Sequence, residues 1–388
     1  MRICRITTVP FIFLHHLNSQ IRATISAGHE VYLVSSPTSG FANAIKDDLQ
    51  FDGAHFQAIE IPRNISLCAD LHALILLYLF FQKNRFDVVH SVTSKAGLLC
   101  AIAALLARVP IRMHTFISQP WAGLTGWVRR ISKACDWLIV RLNTQCYADS
   151  ESQRAFLISE KVADSGHIKT LGAGSIAGVD LVRFDIARFE KHRTKIELGI
   201  PTDAQIIVFI GRINREKGIV ELAAAFELLR SKGLQNIFLL IIGPFESASH
   251  ALPETTKESL EHNECIRVVG YTDVPEKYLA AAELFCLPSY REGFGSVVIE
   301  AAAMGVPTVA TRVVGLVDAV VEDKTGLLVP HKNAGALADA LALLLSNSVL
   351  RHELGSAAQV RARTFFGCDA VNRLVLNEYE TYFSATCR

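Results

Sequence analysis

Hydrophobic positions along the chain follow two patterns that alternate from the first residues onward. Short apolar, β-branched runs alternate with longer stretches in which apolar residues recur at helical spacing. The short runs are typical of strands buried on both faces and the longer stretches of covering helices, so the alternation predicts an α/β fold with parallel sheets. The predicted strands are 2–8, 30–35, 55–61, 87–91, 111–116, 145–149 and 167–171 in the first half, and 206–211, 238–243, 266–269, 284–287, 308–311 and 326–329 in the second.

Two series of strands are separated by residues 172–201, which have mixed composition and no clear period. A chain of 388 residues is long enough for two domains, each with its own apolar core. The pattern therefore predicts two Rossmann-like domains whose parallel sheets face a central cleft. In open parallel sheets ligands bind beyond the carboxyl ends of the strands, so the loops that follow the strands should carry the chemistry.

The composition argues against several classes of protein. Half of the residues are hydrophobic and 20% are charged, which is not typical of a disordered chain. Lys and Arg total 39 against 38 acidic residues, so no net field attracts a polyanion and no nucleic-acid partner is expected. The nine cysteines form no Cys-x-x-Cys pair and no short spacing to a histidine pair, so neither a disulfide framework nor a metal site is indicated.

The same patterns bear on location. Residues 1–8 alternate as a first strand does, unlike the uninterrupted core of a signal peptide. The most hydrophobic run, 71–81, is interrupted by His72 and is far shorter than the roughly 20 residues of a membrane-spanning helix. It is predicted to be a buried helix, with a membrane-dipping role as the alternative. We expect a cytoplasmic protein.

The most informative segment is a predicted strand, tight turn and helix over residues 284–304. Gly293 and Gly295 lack the Cβ atoms that would keep a ligand from the backbone, and they flank Phe294. From Ser296 onward the first amides of the predicted helix point outward unpaired, beside roughly half a positive charge. The segment from Gly293 to Ser296 is therefore predicted to bind a diphosphate.

Two carboxylates accompany this diphosphate-binding turn. Glu300 lies about one turn into the helix, where a carboxylate can accept hydrogen bonds from paired hydroxyls such as those of a ribose. Glu292 lies on the loop before the glycines and is predicted to face whatever the phosphate carries.

A second anion-binding segment is predicted after the first strand of the second half. Arg212 and Lys217 lie on a glycine-bounded turn at residues 211–218, where both cations can reach one diphosphate. The alternative is that they are solvated loop charges or pair with Glu216 and Glu221. The presence of the other anion-binding turn in the same half favours the diphosphate.

These motifs, taken in order, resemble a known family. Gly211-Arg212, Lys217-Gly218, Glu292-Gly293-Phe294-Gly295 and Glu300 resemble the signature of the family 4 glycosyltransferases, whose two-domain architecture is called GT-B. The resemblance covers nearly the whole chain, through residues 87–90 and 111–115 to 325–330. It implies transfer of a sugar from a nucleotide diphosphate donor with retention of anomeric configuration, without a metal ion or other cofactor.

The resemblance also implies roles for individual residues. Arg212 and Lys217 would hold the donor diphosphate together with the amides of the 293–296 turn. Glu300 would bind the ribose, and Glu292 the hydroxyls of the donor sugar. His114, predicted at a strand end in the first domain, would face the donor sugar, although from residue type alone a histidine without a role is the competing interpretation. We further hypothesise that the departing phosphate accepts the acceptor's proton, so that Glu292 orients rather than attacks.

By the same resemblance, residues 1–172 form an N-terminal acceptor-binding domain and residues 173–369 a C-terminal domain that binds the nucleotide sugar. A final helix at about 370–388 is expected to pack back onto the first domain.

The acceptor is predicted from features of the first half. The family's glycine pair after the first strand is replaced by a bulky apolar loop at residues 8–16. Lys95-Ala96-Gly97 resembles a motif of bacterial enzymes that act on polyprenyl-diphosphate-linked sugars. Residues 121–142 mix tryptophans with basic residues such as Arg129 and Arg130, as in a helix lying on a membrane surface. The alternative is an ordinary helix packed on its own domain.

The predicted function is therefore a retaining glycosyltransferase that uses a nucleotide-sugar donor, with uridine as the expected base and a hexose or N-acetylhexosamine as the sugar. Its expected acceptor is a lipid-linked saccharide of bacterial surface glycan assembly, reached from the inner face of the plasma membrane. Three alternatives stay open. They are a GT-B sugar-nucleotide epimerase, a non-catalytic module that binds lipid-linked sugars, and a dehydrogenase suggested by the near-fingerprint at residues 172–178.

Overall fold

A computed structural model describes residues 1–37, 53–62, 66–246 and 251–386. Every predicted strand is confirmed, and all ladders within the two sheets are parallel. The first sheet has the order β3-β2-β1-β4-β5-β6-β7 and contains β1 (Arg2–Ile6), β2 (Glu30–Ser35), β3 (Ala54–Ala58), β4 (Val88–Val92), β5 (Ile111–Phe116), β6 (Gln145–Ala148) and β7 (Ile168–Thr170). The second has the order β10-β9-β8-β11-β12-β13 and contains β8 (Gln205–Ile210), β9 (Ile237–Ile242), β10 (Ile266–Gly270), β11 (Leu284–Leu287), β12 (Thr308–Thr311) and β13 (Gly326–Val329).

Where the structure describes the connection, helices join successive strands, as parallel pairing requires. Those around the first sheet are α1 (Phe11–His15), α2 (Asn18–Ser26), α3 (Leu67–Asn84), α4 (Ser94–Leu106), α5 (Gly126–Leu142) and α6 (Glu151–Ser159). The later helices are α7 (Lys191–Glu197), α8 (Ile219–Ser231), α9 (Glu254–His262), α10 (Pro275–Ala281), α11 (Ser296–Ala303), α12 (Leu316–Ala319), α13 (Ala334–Ser346), α14 (Ser348–Phe365) and α15 (Cys368–Thr386).

The chain forms two compact units, one around each sheet. The first comprises Met1–Gly178 together with Cys368–Arg388, and the second comprises Val179–Gly367. The first boundary therefore lies six residues beyond the predicted position of 172, and the second lies two residues before the predicted 369. Helix α15 belongs to the first unit.

A buried polar network fixes α15 within the first unit. Arg5 on β1 is 2% exposed, and its Nη1 donates to the hydroxyl of Tyr379 at 2.8 Å and to Gln20 Oε1 at 3.2 Å. The same hydroxyl is hydrogen-bonded to Nδ1 of His90 at 2.8 Å. Because buried polar groups are costly to leave unpaired, these bonds specify where the helix docks.

The strand order reverses at one place in each sheet. In the first sheet β1 lies between β2 and β4, and in the second β8 lies between β9 and β11. At such a reversal, the loops that follow the two neighbouring strands diverge and leave a crevice where ligands bind. In the second unit these loops follow β8 and β11, and they carry the two predicted diphosphate-binding segments.

The hydrophobic run at 71–81 lies in α3, which is only partly buried. Ala73 and Leu77 are fully buried against the sheet, whereas Leu71 and Leu79 are 57% and 55% exposed. The prediction of a buried helix is therefore right for one face and wrong for the other, because a run that is apolar on nearly every side of the helix hides which side packs. Within the described residues no single helix is long and apolar enough to span a bilayer, although the bent pair α13 and α14 meets that length and composition together.

Trp121 anchors the segment that leads from β5 into α5. Its indole is 1% exposed and donates from Nε1 to Oδ2 of Asp136 at 2.6 Å. The ring stacks on Phe156 with centroids 5.4 Å apart, and Arg129 lies 5.4 Å from the ring centroid. Burial raises the pKa of Asp136 to about 7, and the bond from Trp121 opposes that rise.

The raised pKa of Asp136 makes the free energy of unfolding depend on pH. Because the pKa of Asp136 is higher in the folded than in the unfolded chain, the folded state keeps a proton that the unfolded state loses between about pH 4 and pH 7, so stability falls as pH rises through that window. Asp136→Asn keeps an acceptor for Trp121 but does not titrate. Its thermal unfolding midpoint should match the wild type near pH 4 and exceed it above about pH 7.

The exposed Asp164, whose pKa is lowered by its hydrogen bond to His167, supplies the matched control. Asp164→Asn should gain no stability relative to the wild type as pH rises. Equal midpoints for Asp136→Asn and the wild type at every pH would show that the Asp136 carboxyl does not titrate in this range.

Candidate functional site

The loops after β8 and β11 come together through their backbones. A Cβ atom on Gly218, which has φ +71°, would lie 2.0 Å from the carbonyl oxygen of Pro288. The amide of Tyr290 donates to the carbonyl of Glu216 at 2.8 Å. Only glycine permits the first of these approaches. The two anion-binding segments predicted from sequence are therefore adjacent in the fold.

The loop after β12 joins the same place. A Cβ atom on Gly315, which has φ +86°, would lie 2.5 Å from the carbonyl oxygen of Gly293. Phe294 is 1% exposed, and its ring centroid lies 5.2 Å from that of Phe366. The side chain of Phe294 therefore anchors the turn in the core and leaves only its backbone groups for the predicted ligand contact.

Helix α11 begins at Ser296, directly after the glycine-flanked turn. Gly295 precedes it with φ +86° and no side chain caps this end of the helix. No side chain therefore occupies the first amides of α11, which lie at the positive end of the helix dipole, and the amide of Val298 donates to the carbonyl of Gly295 at 2.8 Å. This is the geometry predicted for an anion-binding turn.

The two predicted phosphate-binding cations are both paired with carboxylates. Arg212 is 59% exposed and donates from Nη1 to Oε1 of Glu246 at 2.9 Å. Lys217 forms an ion pair with Glu292, and both side chains are largely buried, at 19% and 13% exposed. The structure thus brings Lys217 into direct contact with the carboxylate predicted to face the donor sugar.

The partners considered as alternatives are engaged elsewhere. Glu216 forms an ion pair with Arg291 at 2.7 Å, and Glu221 accepts from the hydroxyl of Tyr290 at 2.7 Å. The acidic residues that contact Arg212 and Lys217 come instead from the loops after β9 and β11.

Glu300 lies on α11, below the turn. Burial raises its pKa to about 7, the nearby Arg183 opposes the rise, and Glu276 adds to it. Arg183 is fixed by an ion pair of 2.8 Å with Glu276, which is 7% exposed. A ligand that donates hydroxyl hydrogen bonds to Glu300 would favour the carboxylate form.

His114 was predicted at the end of a strand, but it lies inside β5, which continues to Phe116. Its side chain is fully buried, and Nδ1 is hydrogen-bonded to Oγ of Ser91 at 2.9 Å. A Cβ atom on Gly97 would lie 2.4 Å from the ring, so α4 packs directly on the imidazole. Burial lowers the pKa of His114 to about 3. This placement is a correction: strand alternation directs residue 114 toward the helices, and its role at the donor sugar stays a prediction.

Three polar residues at the site were missed by sequence reasoning. Glu246 contacts Arg212, Ser289 donates to Oε1 of Glu292 at 2.7 Å, and Asn214 accepts from the amide of Lys217 at 2.9 Å. All three follow strand ends, and that position was the available signal. The dehydrogenase alternative has no structural support, because the first α-helix after residues 172–178 is α7, which does not begin until Lys191.

Family models and solved structures agree with this architecture. The model described as "Glycosyl transferase 4-like domain" matches residues 15–174, and the model described as "Glycosyl transferases group 1" matches residues 190–361. Anabaena HepE, solved in complex with UDP and glucose, superposes with a TM-score of 0.81 at 15% identity, covering 98% of this chain and 100% of that one. The predicted GT-B fold of two Rossmann-like domains is thereby confirmed.

Curated relatives match over most of the chain. A capsular polysaccharide biosynthesis glycosyltransferase, CapM of Staphylococcus aureus, is 29% identical over 94% of this chain and 93% of its own length. A D-inositol 3-phosphate glycosyltransferase of Corynebacterium efficiens is 33% identical over 72% of this chain and 68% of its own length. The UDP-Gal:alpha-D-GlcNAc-diphosphoundecaprenol alpha-1,3-galactosyltransferase of Escherichia coli is 25% identical over 74% of each. The chain belongs to the family of glycosyltransferases that combine a glycosyl transferase 4-like domain with a group 1 domain.

Proposed function

We propose that this glycosyltransferase moves a hexose or N-acetylhexosamine, with retention and without a metal ion, from a uridine diphosphate donor to a saccharide carried on a polyprenyl diphosphate. One observation carries the donor half of the proposal. The loops after β8 and β11 meet where the strand order reverses, which places Arg212 and Lys217 on the loop adjacent to the uncapped start of α11.

The arrangement suits a leaving diphosphate. Breaking the bond between sugar and phosphate adds negative charge to the diphosphate, so fixed cations and amides stabilise the transition state more than the ground state. Each hydrogen bond to a charged group contributes about 1.5–3 kcal/mol. Arg212, Lys217 and the amides of the 293–296 turn would together supply this stabilisation.

Glu292 is better suited to orient a sugar than to attack it. Its Oε1 accepts hydrogen bonds from both Ser289 and Lys217, which stabilise the carboxylate and lower its nucleophilicity. In the proposed step the acceptor oxygen bonds to the anomeric carbon as the phosphate oxygen leaves. The acceptor's proton passes to that phosphate oxygen on the same face of the sugar, which accounts for retention. Trapping of a glycosyl adduct on Glu292 would contradict this role.

The acceptor half rests on relatives and on the surface of α5. The names of two relatives refer to capsular polysaccharide and to a diphosphoundecaprenol-linked sugar. On α5 the side chains of Trp127 and Ile131 are 74% and 57% exposed, and Arg130 lies 5.2 Å from the ring centroid of Trp127. Exposed tryptophans beside a cation suit the interface of an anionic membrane. We therefore include peripheral attachment to the inner face of the plasma membrane in the proposal.

The direct test is a donor screen with a polyprenyl-diphosphate-linked monosaccharide as acceptor. We expect transfer from a uridine diphosphate sugar in the presence of EDTA, and an anomeric configuration in the product equal to that of the donor, as assigned by NMR. Release of an epimerised sugar from the donor alone would support the epimerase alternative. An inverted product would overturn the proposed mechanism.

Loss of the Arg212 guanidinium tests the diphosphate role. Arg212→Ala should lower kcat about 100-fold, because the interaction is strongest with the charge that develops in the transition state. The control is Arg193→Ala, which removes an exposed arginine from the same unit, 77% exposed and paired with Glu197 on α7. Wild-type turnover in Arg212→Ala would remove this residue from the donor site.

The membrane role of α5 is tested by sedimentation with anionic vesicles. Arg129 donates to Glu160 at 2.9 Å, so Arg130 is the better choice for lipid contact. The double variant Trp127→Ala/Arg130→Glu should reduce bound protein about 10-fold at low salt, because it removes apolar area and reverses a charge. Arg22→Glu, on the exposed surface of α2, is the charge-matched control. Equal binding by both variants would show that α5 is not the attachment site.

A further inference from the structure

We infer that Glu246 is a positioning residue that holds Arg212 in the orientation needed to bind the donor diphosphate. The inference rests on the proposed function of Arg212. Apart from its position after a strand end, no pattern in the sequence marks Glu246, and it is its contacts that bring it into the site.

The backbone of Glu246 is fixed against the Arg212 loop. A Cβ atom on Gly243 would lie 1.9 Å from the carbonyl oxygen of Gly211, so the loops after β8 and β9 touch at their first residues. Ile213 donates to the carbonyl of Pro244 at 2.9 Å, and the amide of Glu246 donates back to the carbonyl of Ile213 at 3.2 Å. These reciprocal bonds place residue 246 beside residue 212.

The carboxylate of Glu246 uses both oxygens. Oε1 accepts from Nη1 of Arg212 at 2.9 Å, and Oε2 accepts from Nδ2 of Asn214. Asn214 is 1% exposed, and its Oδ1 accepts from the backbone amide of Lys217 at 2.9 Å. One hydrogen-bonded network therefore connects the carboxylate to the side chain of Arg212 and to the backbone of Lys217, the two cations assigned to the diphosphate.

This pairing fits positioning better than stability. The Arg212 side chain is 59% exposed, and an ion pair with so much exposure contributes little to folding. A guanidinium has five N–H donors in a planar fork, so one bond to Glu246 orients the plane and leaves other donors for a phosphate. A carboxylate also repels a diphosphate. If orientation dominates, removal of Glu246 should slow turnover. If repulsion dominates, the same removal should tighten diphosphate binding, so the two effects can be told apart.

The test is a double-mutant cycle in donor kinetics. Glu246→Ala should lower kcat about 10-fold with little change in KM for the donor, because a misplaced Arg212 binds the leaving charge poorly. The double variant Arg212→Ala/Glu246→Ala should be no slower than Arg212→Ala, because Glu246 acts only through Arg212. Glu246→Gln, which keeps an acceptor oxygen, should recover most of the activity.

Two controls complete the design. Glu197→Ala removes a carboxylate that pairs with Arg193 on an exposed face of the same unit, and it should retain wild-type kinetics. Unfolding midpoints of all variants should agree. Additive losses in the double variant, wild-type turnover in Glu246→Ala, or tighter binding of UDP to Glu246→Ala by calorimetry would each overturn the inference. Wild-type turnover in Arg212→Ala is a separate outcome that refutes the proposed function itself.

Discussion

The second unit depends on the close approach of backbone segments at the carboxyl edge of its sheet. Gly218 lies against the carbonyl of Pro288, Gly243 against that of Gly211, and Gly315 against that of Gly293. Each glycine has a positive φ, and each built Cβ would lie within 2.5 Å of a carbonyl oxygen. These contacts join the loops after β8, β9, β11 and β12 into one rigid edge of the sheet, which we call the rim. Cations and helix amides held on this rim need little reorganisation when a charge develops beside them.

The charges on this rim are balanced before any ligand is considered. Arg212 pairs with Glu246 and Lys217 with Glu292, so each cation already has a fixed partner. An incoming diphosphate would meet cations that already have carboxylate partners, and repulsion from those carboxylates would lower the net gain in affinity. The benefit is geometric, since side chains held by short hydrogen bonds lose less conformational freedom on binding than free ones do. A site built in this way favours the transition state, whose charge exceeds that of the ground state, over tight binding of the donor.

The hydrophobic periodicity of the sequence predicts the strands of both sheets, but it does not predict which residues of different loops contact one another. Every strand was predicted because runs buried on both faces have a composition that polar loops lack, and the turn before Ser296 was predicted because glycines mark it. Glu246 was missed because its partner is 34 residues away on another loop and no local pattern connects them. His114 was misplaced by a different cause. Alternation along β5 decides which layer a side chain enters, and sequence alone does not say which face of the sheet carries which helix.

Glu300 illustrates how burial and binding are coupled at this site. In the folded chain its pKa of about 7 leaves the carboxyl divided between two protonation states near neutral pH. Arg183 lowers the pKa of Glu300 and Glu276 raises it, and the two form an ion pair. Their effects on Glu300 therefore partly cancel, and desolvation is the main cause of the raised pKa. Hydroxyl donors stabilise the charged form more than the neutral one. A ribose at this position would therefore draw Glu300 toward ionisation, and nucleotide binding would release a fraction of a proton from a group that lies outside the reacting bond.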